Sequence, residues 1–320
     1  MGWFSRLSSH WRRWRVPRLE IHVPISPTPF FFNRIHYLAT SLQLHAGPLA
    51  DAKIVVTIGA DVDAFDPQDR LPWSRHFNIA WRWVPRGLFR EHSYFATRLY
   101  RLLYDYQADV VMLLDADVLV AAAFDDLVER VAKEHTLLGV PANVSPVRGG
   151  FTWESLFAQA ALGAVPYVVE HSGFGCIFHD QSKRMAPPYF NLGVIPMPTD
   201  VARRIGESIF AELAIVASCE NFYRGQMSLT LALVRRRIPW GTMSFKYNFV
   251  NDERYLSRYR EEFADMRLMH FLSNHHIHKD ETFASADAVE HALRAVYTDE
   301  VDRKFIEILR PIHQDVLRRL

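Results

Sequence analysis

Asp115 and Asp117 stand one residue apart at the end of the apolar run VVMLL, residues 110–114. Two ionised carboxylates this close repel each other, and charge buried without a partner is costly. The pair therefore belongs at a cleft or a surface, where a cation would offset its repulsion. Oxygen ligands at this spacing suit a hard divalent ion. Mg²⁺ takes one or two carboxylates and completes its shell with substrate phosphates, and Mn²⁺ shares the preference for oxygen. The alternative is a pair of aspartates in an exposed turn.

The run before the pair reads as a buried strand, and its neighbours alternate between strand and helix. LEIHVPI (19–25) is a first strand, and RIHYLATSLQLHA (34–46) has helical spacing and stops at Gly47-Pro48. AKIVVTIGA (52–60) and NIAWRWVP (78–85) are further strands. HSYFATRLYRLLYDY (92–106) and AFDDLVERVAKEH (123–135) are helices, and TLLGVPAN (136–143) is another strand. This order predicts an α/β fold, a mostly parallel Rossmann-like sheet flanked by helices. Ligands of such sheets bind outside the carboxyl ends of the strands, and that is where the two aspartates fall.

Beyond residue 143 the pattern loosens. Residues 144–190 read as loops around a helix at 153–162, the kind of segment that carries specificity. PYFNLGVIPMP (188–198) returns to strand. Helices are predicted over 199–217, over 225–237 and across most of 283–320. Val301, Phe305, Ile308, Ile312 and Val316 form one stripe on the last helix, to pack on the domain or to pair with a second copy. The organisation is a basic arm at 1–20, a catalytic domain at 21–282 and a C-terminal helical segment at 283–320 packed on it.

Composition narrows the class. The 320 residues carry a formal net charge of +1, with 49% hydrophobic and 23% charged residues. That is ordinary for a globular chain and gives no general affinity for polyanions, so nucleic acid is not an expected partner. Two cysteines, Cys176 and Cys219, supply neither a disulfide framework nor a thiolate metal site, and suit a reducing, cytoplasmic setting. No run of 18 apolar residues spans a membrane. The first 20 residues hold five arginines and one glutamate, with Trp3, Phe4, Leu7, Trp11 and Trp14 on one helical stripe. Residues 1–18 so read as a basic amphipathic helix at an anionic membrane surface, as an arm docked on the protein's own core, or as a partly disordered tail.

Several segments, in order, resemble the GT-A glycosyltransferases, and among them glycosyltransferase family 8, the glycogenin-like and bacterial galactosyl- and glucosyltransferase-like enzymes. VVMLLDADVLV resembles the hydrophobic strand and DxD motif. SYFATRLYRLL resembles the upstream helix, with Arg98 as its donor-binding arginine. PYFNLGVIPM resembles the Phe-Asn-x-Gly-Val strand, GQMSLTLAL a helix start with Gln226, KYNF a Tyr-Asn element, and LMHFLS the late histidine motif. Together they span roughly residues 21–280.

The resemblance implies a GT-A fold and transfer of a hexose from a nucleotide-diphosphate sugar, usually a UDP-sugar, to a hydroxyl acceptor. Retention of anomeric configuration is implied too. Mn²⁺ or Mg²⁺ would be held by Asp115, Asp117 and His270. A lone histidine is ordinarily a structural hydrogen-bonder, and only its motif makes His270 a ligand. Arg98, Asn191 and Gln226 are the implied catalytic residues, orienting sugar hydroxyls or lining the sugar's β-face. Arg98, Asp115, Asn191, Gly193 and Lys279 are the implied donor-binding residues, with Gly193 letting the backbone come close to the donor. The acceptor would be a glycan or a lipid-linked sugar in surface glycan synthesis.

The match also has gaps. The first strand, VPISPTPFFFNR, lacks the family's nucleotide-binding Asp and Tyr, leaving Phe30 or Phe31 to stack on a base. Asn143 stands where an acidic residue is common, and Gly225 where an Asp precedes Gln226. The Lys-Pro-Trp ending is absent, with Lys279 or His276 as substitutes. These departures keep a second reading open, a catalytically degenerate module that binds sugar nucleotides or a partner. A DxD phosphatase of the haloacid-dehalogenase type fits less well: its motif opens the domain, whereas here at least two strands precede it.

Overall fold

In the computed structural model, residues 16–142, 152–170, 185–219, 223–274 and 276–319 are described. Residues 1–15 of the basic arm, Asn143, Cys176 and residues 144–151 and 171–184 of the expected loop region lie outside them. Among the described residues, no helix is long and apolar enough to cross a membrane.

The strands are β1 (Leu19–Ile25), β2 (Lys53–Ile58), β3 (Ile79–Trp83), β4 (Val110–Leu114), β5 (Val118–Val120), β6 (Leu137–Gly139), β7 (Val169–Glu170), β8 (Met185–Ala186), β9 (Val194–Pro198), β10 (Trp240–Thr242), β11 (Phe249–Val250) and β12 (Leu268–His270). The main sheet has the order β3-β2-β1-β4-β9. Its first four strands are parallel, and β9 closes the edge antiparallel to β4. The mostly parallel α/β sheet expected from the alternating pattern is the observed architecture. The antiparallel edge is a feature that the pattern does not encode, because a strand's direction leaves no mark on its composition.

The strand β4 is buried on both faces, from Val110 to Leu114. Such strands read as continuous apolar runs, and here helices cover each face. On one face Val110, Met112 and Leu114 belong to a core that also holds buried residues of the mutually packed helices Pro29–His45 and Glu300–Arg318. The other packs against the helices Tyr94–Tyr100 and Arg224–Arg235. The C-terminal helix turns Val301, Phe305, Ile308, Ile312 and Val316 inward, all buried. Its His313 meets the Tyr37 hydroxyl at 2.6 Å through Nδ1, across the contact with the first helix.

Two expected helices are interrupted. The segment 92–106 is helical only from Tyr94 to Tyr100, after a break at Ser93, whose φ of 53° is a positive-φ conformation that stops the preceding helix Arg86–His92. The segment 199–217 divides into Thr199–Gly206 and Ile209–Ile215. At that break a Cβ on Gly206 would lie 2.3 Å from the Leu102 carbonyl oxygen, so the chain passes backbone to backbone there.

Candidate metal and donor site

The two aspartates flank the turn between β4 and β5. The Asp115 amide donates to the Gly193 carbonyl at 3.0 Å, which extends the β4–β9 pairing by one residue and fixes where β4 ends. After Ala116 the chain re-enters a strand, and β5 pairs antiparallel with β12 in the register Val118 opposite His270. The Phe271 amide donates to the Asp117 carbonyl at 2.9 Å. This small second sheet carries His270 across the sequence to Asp117, a juxtaposition that no spacing in the chain reveals.

Asp115, Asp117 and His270 each offer one ligand atom, and these atoms lie within 4.8 Å of one another. The His270 Nε2 is 3.2 Å from Asp117 Oδ1. The other ring nitrogen, Nδ1, is 3.0 Å from Asn248 Oδ1, an oxygen that only accepts, so Nδ1 carries the proton. In the neutral ring Nε2 then presents a lone pair to a carboxylate oxygen. Two acceptors face each other unless a cation lies between them or the ring is doubly protonated. Ligands at about 2.0–2.1 Å from one ion and at right angles lie about 3 Å apart, close to this separation. Asp115 Oδ1 is buried and makes no hydrogen bond. A hard cation held by two carboxylate oxygens and one imidazole nitrogen fits this donor set.

Behind the ligands runs a chain of amides. The Asn248 side-chain NH₂ donates to Asn191 Oδ1 at 3.3 Å, and the Gly193 amide donates to the same oxygen at 2.7 Å. A Cβ built on Gly193 would lie 2.4 Å from His270 Cε1 and 2.5 Å from its Nδ1. Gly193 is small because the histidine ring occupies its space. Asn191 likewise uses its side-chain oxygen to hold the support of His270.

Arginines hold the first aspartate. Arg98 donates to Asp115 Oδ2 at 2.6 Å and to the Tyr94 hydroxyl oxygen at 2.8 Å. Burial works against its charge, but Asp115 and Tyr94 outweigh it and hold its pKa above the ordinary arginine value. One helical turn later Arg101 is fully buried. It donates to the carbonyls of His22, midway along β1, and Leu114, the last residue of β4, at 2.9 Å each. Its Nη2 is 3.8 Å from Asp115 Oδ1. Burial lowers its pKa to about 10, with Asp115 opposing and Arg98 adding to the shift.

The second aspartate meets Lys279, whose Nζ donates to Asp117 Oδ2. Burial pushes the Asp117 carboxyl upward, yet His270, when its ring carries both protons, and the Lys279 ammonium hold it far below the usual carboxylate range. Lys279 opens the short helix Lys279–Thr282. The next residue, Asp280, pairs with the buried Arg34.

Part of this group lines a cavity of about 270 Å³ at the carboxyl ends of β1 and β4, with His270 and Arg101 behind its wall. Asp115, Asp117 and Lys279 lie on its wall with Arg98, and Phe30, Phe31 and Arg34 also line it. The Arg34 guanidinium lies 4.9 and 5.2 Å from the two phenylalanine ring centroids. The two stacking candidates named from the sequence thus share a cavity with the carboxylate pair. Gln226 does not line it; its side-chain oxygen accepts from the Tyr189 hydroxyl at 2.9 Å. A larger groove, about 570 Å³, lies at the opposite end of the sheet between Leu19, Glu20 and Lys53. No cluster of potential metal ligands among the described residues lies there, and parallel sheets bind at their other end, so the smaller cavity is the functional candidate.

Sequence reading placed Arg98, Asp115, Asp117, His270 and Lys279, and the structure brings all five together. It missed Arg101, Asn248, Tyr94, Arg34 and Asp280 as parts of the site. A signal existed for Arg101, an arginine one turn from Arg98. Asn248 lay within KYNF, with nothing local to link it to His270.

No family model matches the chain, and no curated protein matches it in sequence. The fold does match solved structures. The galactosyltransferase LgtC, in complex with donor and acceptor sugar analogs, superposes with a TM-score of 0.54 at 16% identity, covering 94% of this chain and 100% of LgtC. The bifunctional glycosyltransferase WbbM, in its apo structure, matches with a TM-score of 0.53 at 16% identity, over 95% of this chain and 52% of WbbM. The glycosyltransferase GlyE of Streptococcus pneumoniae TIGR4 matches at 0.50 and 14% identity, over 94% and 63%. The fold is that of the GT-A glycosyltransferases.

Proposed function

We propose that this protein is a metal-dependent glycosyltransferase that moves a hexose from a UDP-sugar to a hydroxyl acceptor, with retention of anomeric configuration, in the synthesis of a surface glycan. Residues 21–282 form its catalytic domain, with 283–320 packed on it. The observation that carries the reading is the convergence of Asp115, Asp117 and His270 at the carboxyl end of a GT-A sheet. LgtC, similar in fold along its whole length, is a galactosyltransferase solved with donor and acceptor sugar analogs, which supports the choice of substrate class.

Glycosyl transfer breaks the bond between the anomeric carbon and a diphosphate, and negative charge grows on the leaving group. Asp115, Asp117 and His270 would hold a Mn²⁺ or Mg²⁺, which would supply Lewis-acid stabilisation of that charge. The rest is the work of the chain's own residues. Lys279 donates to the diphosphate oxygens from the cavity wall. Arg98, held by Asp115 and Tyr94, presents its guanidinium to the sugar hydroxyls. Asn191 fixes the imidazole through Asn248, and Gln226, oriented by Tyr189, faces the β-side of the sugar. Phe30 and Phe31 stack on the base. The acceptor is a glycan or a lipid-linked sugar.

The test is turnover. With UDP-hexoses, Mn²⁺ and saccharide or lipid-linked acceptors, the purified chain is expected to release UDP and to form a product heavier than its acceptor by one hexose unit. A chelator should stop both. Absence of donor turnover under every such condition would leave a binding module of the same fold as the better account.

A further inference from the structure

The charges on and behind the cavity wall do not balance. Among the described residues, three carboxylates, Asp115, Asp117 and Asp280, face four cations, Arg34, Arg98, Arg101 and Lys279. Arg101 stands behind Asp115 and not on the cavity wall; counting it, and with His270 neutral, the cluster carries one positive charge in excess before any metal ion enters. Arg98 and Arg101 are fixed, the first largely and the second fully buried, and both are hydrogen-bonded to main-chain or side-chain oxygens. Arg34 is buried and tied to Asp280. Lys279 is different: a quarter of its side chain is exposed, and its ammonium sits on Asp117, the carboxylate that also faces His270.

We infer that Lys279 is an internal counter-ion of the carboxylate pair that competes with the divalent cation for Asp117. This rests on the transferase reading above. A bare cation entering the cavity meets an ammonium on one of its own ligands and two guanidinium groups behind the other. A cation that arrives with a diphosphate meets a different balance, because the diphosphate's negative charge offsets the excess. Lys279 then leaves Asp117 for the phosphate oxygens, a short move for a long, flexible side chain. Cation and diphosphate therefore bind as a coupled pair, each raising the other's affinity by the same factor.

The experiment is a titration of the full chain with Mn²⁺ alone, counting the free ion by its paramagnetic resonance signal. Wild type, Lys279→Met and Lys279→Arg are compared. Lys279→Met removes the charge and keeps the length, and it is expected to bind bare Mn²⁺ at least about tenfold more tightly than wild type. Lys279→Arg keeps the competing charge and should match wild type. With Mn²⁺ held saturating, Lys279→Met should bind UDP about tenfold less tightly by calorimetry, since the phosphates lose their ammonium. Equal affinity of wild type and Lys279→Met for bare Mn²⁺ overturns the inference while leaving the transferase reading in place. Failure of every variant to bind Mn²⁺, with or without UDP, overturns both.

Discussion

Replacing Asp117 by asparagine is expected to leave the fold standing and to lower transfer by about 10²–10³-fold, the usual cost of one preorganised charge-stabilising group. The fold survives because the main-chain carbonyl of Asp117, not its side chain, accepts the Phe271 amide that joins β5 to β12. Lys279, a quarter exposed, turns to solvent rather than remaining a buried unpaired charge. What is lost is a carboxylate that approaches His270 Nε2 to 3.2 Å. Asparagine offers a single neutral oxygen, a much weaker ligand for a hard cation. Metal-dependent donor binding should disappear with transfer, while the circular dichroism spectrum and cooperative melting stay native. An asparagine variant with the wild-type metal dependence would remove Asp117 from the site.

The second large effect is expected at Gly193. Alanine there brings a methyl group to 2.4 Å from His270 Cε1, 2.5 Å from its Nδ1 and 2.8 Å from Asn191 Oδ1. All three atoms belong to the group that aims the imidazole. Among the described residues the positive-φ glycines are Gly47 and Gly163, so crowding rather than backbone strain sets the cost at Gly193. Overpacking of this kind destabilises by about 1–3 kcal/mol. Displacing the support of a metal-binding histidine lowers metal affinity by about 10–100-fold. Gly87→Ala is the contrast, since nothing lies within 4 Å of the added methyl. A Gly193→Ala protein with unchanged Mn²⁺ affinity would separate the amide chain from the metal site.

These two residues also mark how far the sequence can be read. Asp117 was legible because its chemistry is local: an apolar strand, a turn and a second carboxylate two residues after the first. The central sheet was legible for the same reason, since β4 is an unbroken apolar run buried on both faces, and β1 and β2 are buried and mostly apolar. Gly193 was visible, but its reason was not. The ring that fills its space belongs to a strand far downstream, brought alongside by the pairing of β5 with β12. Arg101 and Asn248 were hidden in the same way, since each acts through contacts between elements distant in the chain. The break at Ser93 left no apolar signal either, because the residues on both sides keep helical spacing. Periodicity reports which face of an element is buried, and it is silent on what that face meets.

The most direct test of the account is a thermal-shift matrix on the wild-type chain, with UDP, GDP, ADP and CMP each measured with and without Mn²⁺. A nucleotide at one hundred times its dissociation constant stabilises the folded state by about 2.7 kcal/mol. For a domain of this size that raises the melting temperature by about 2–4 °C. The account predicts such a rise with UDP and Mn²⁺ together, and a far smaller one with either alone. A melting temperature that no nucleotide moves, with or without the metal ion, would contradict it.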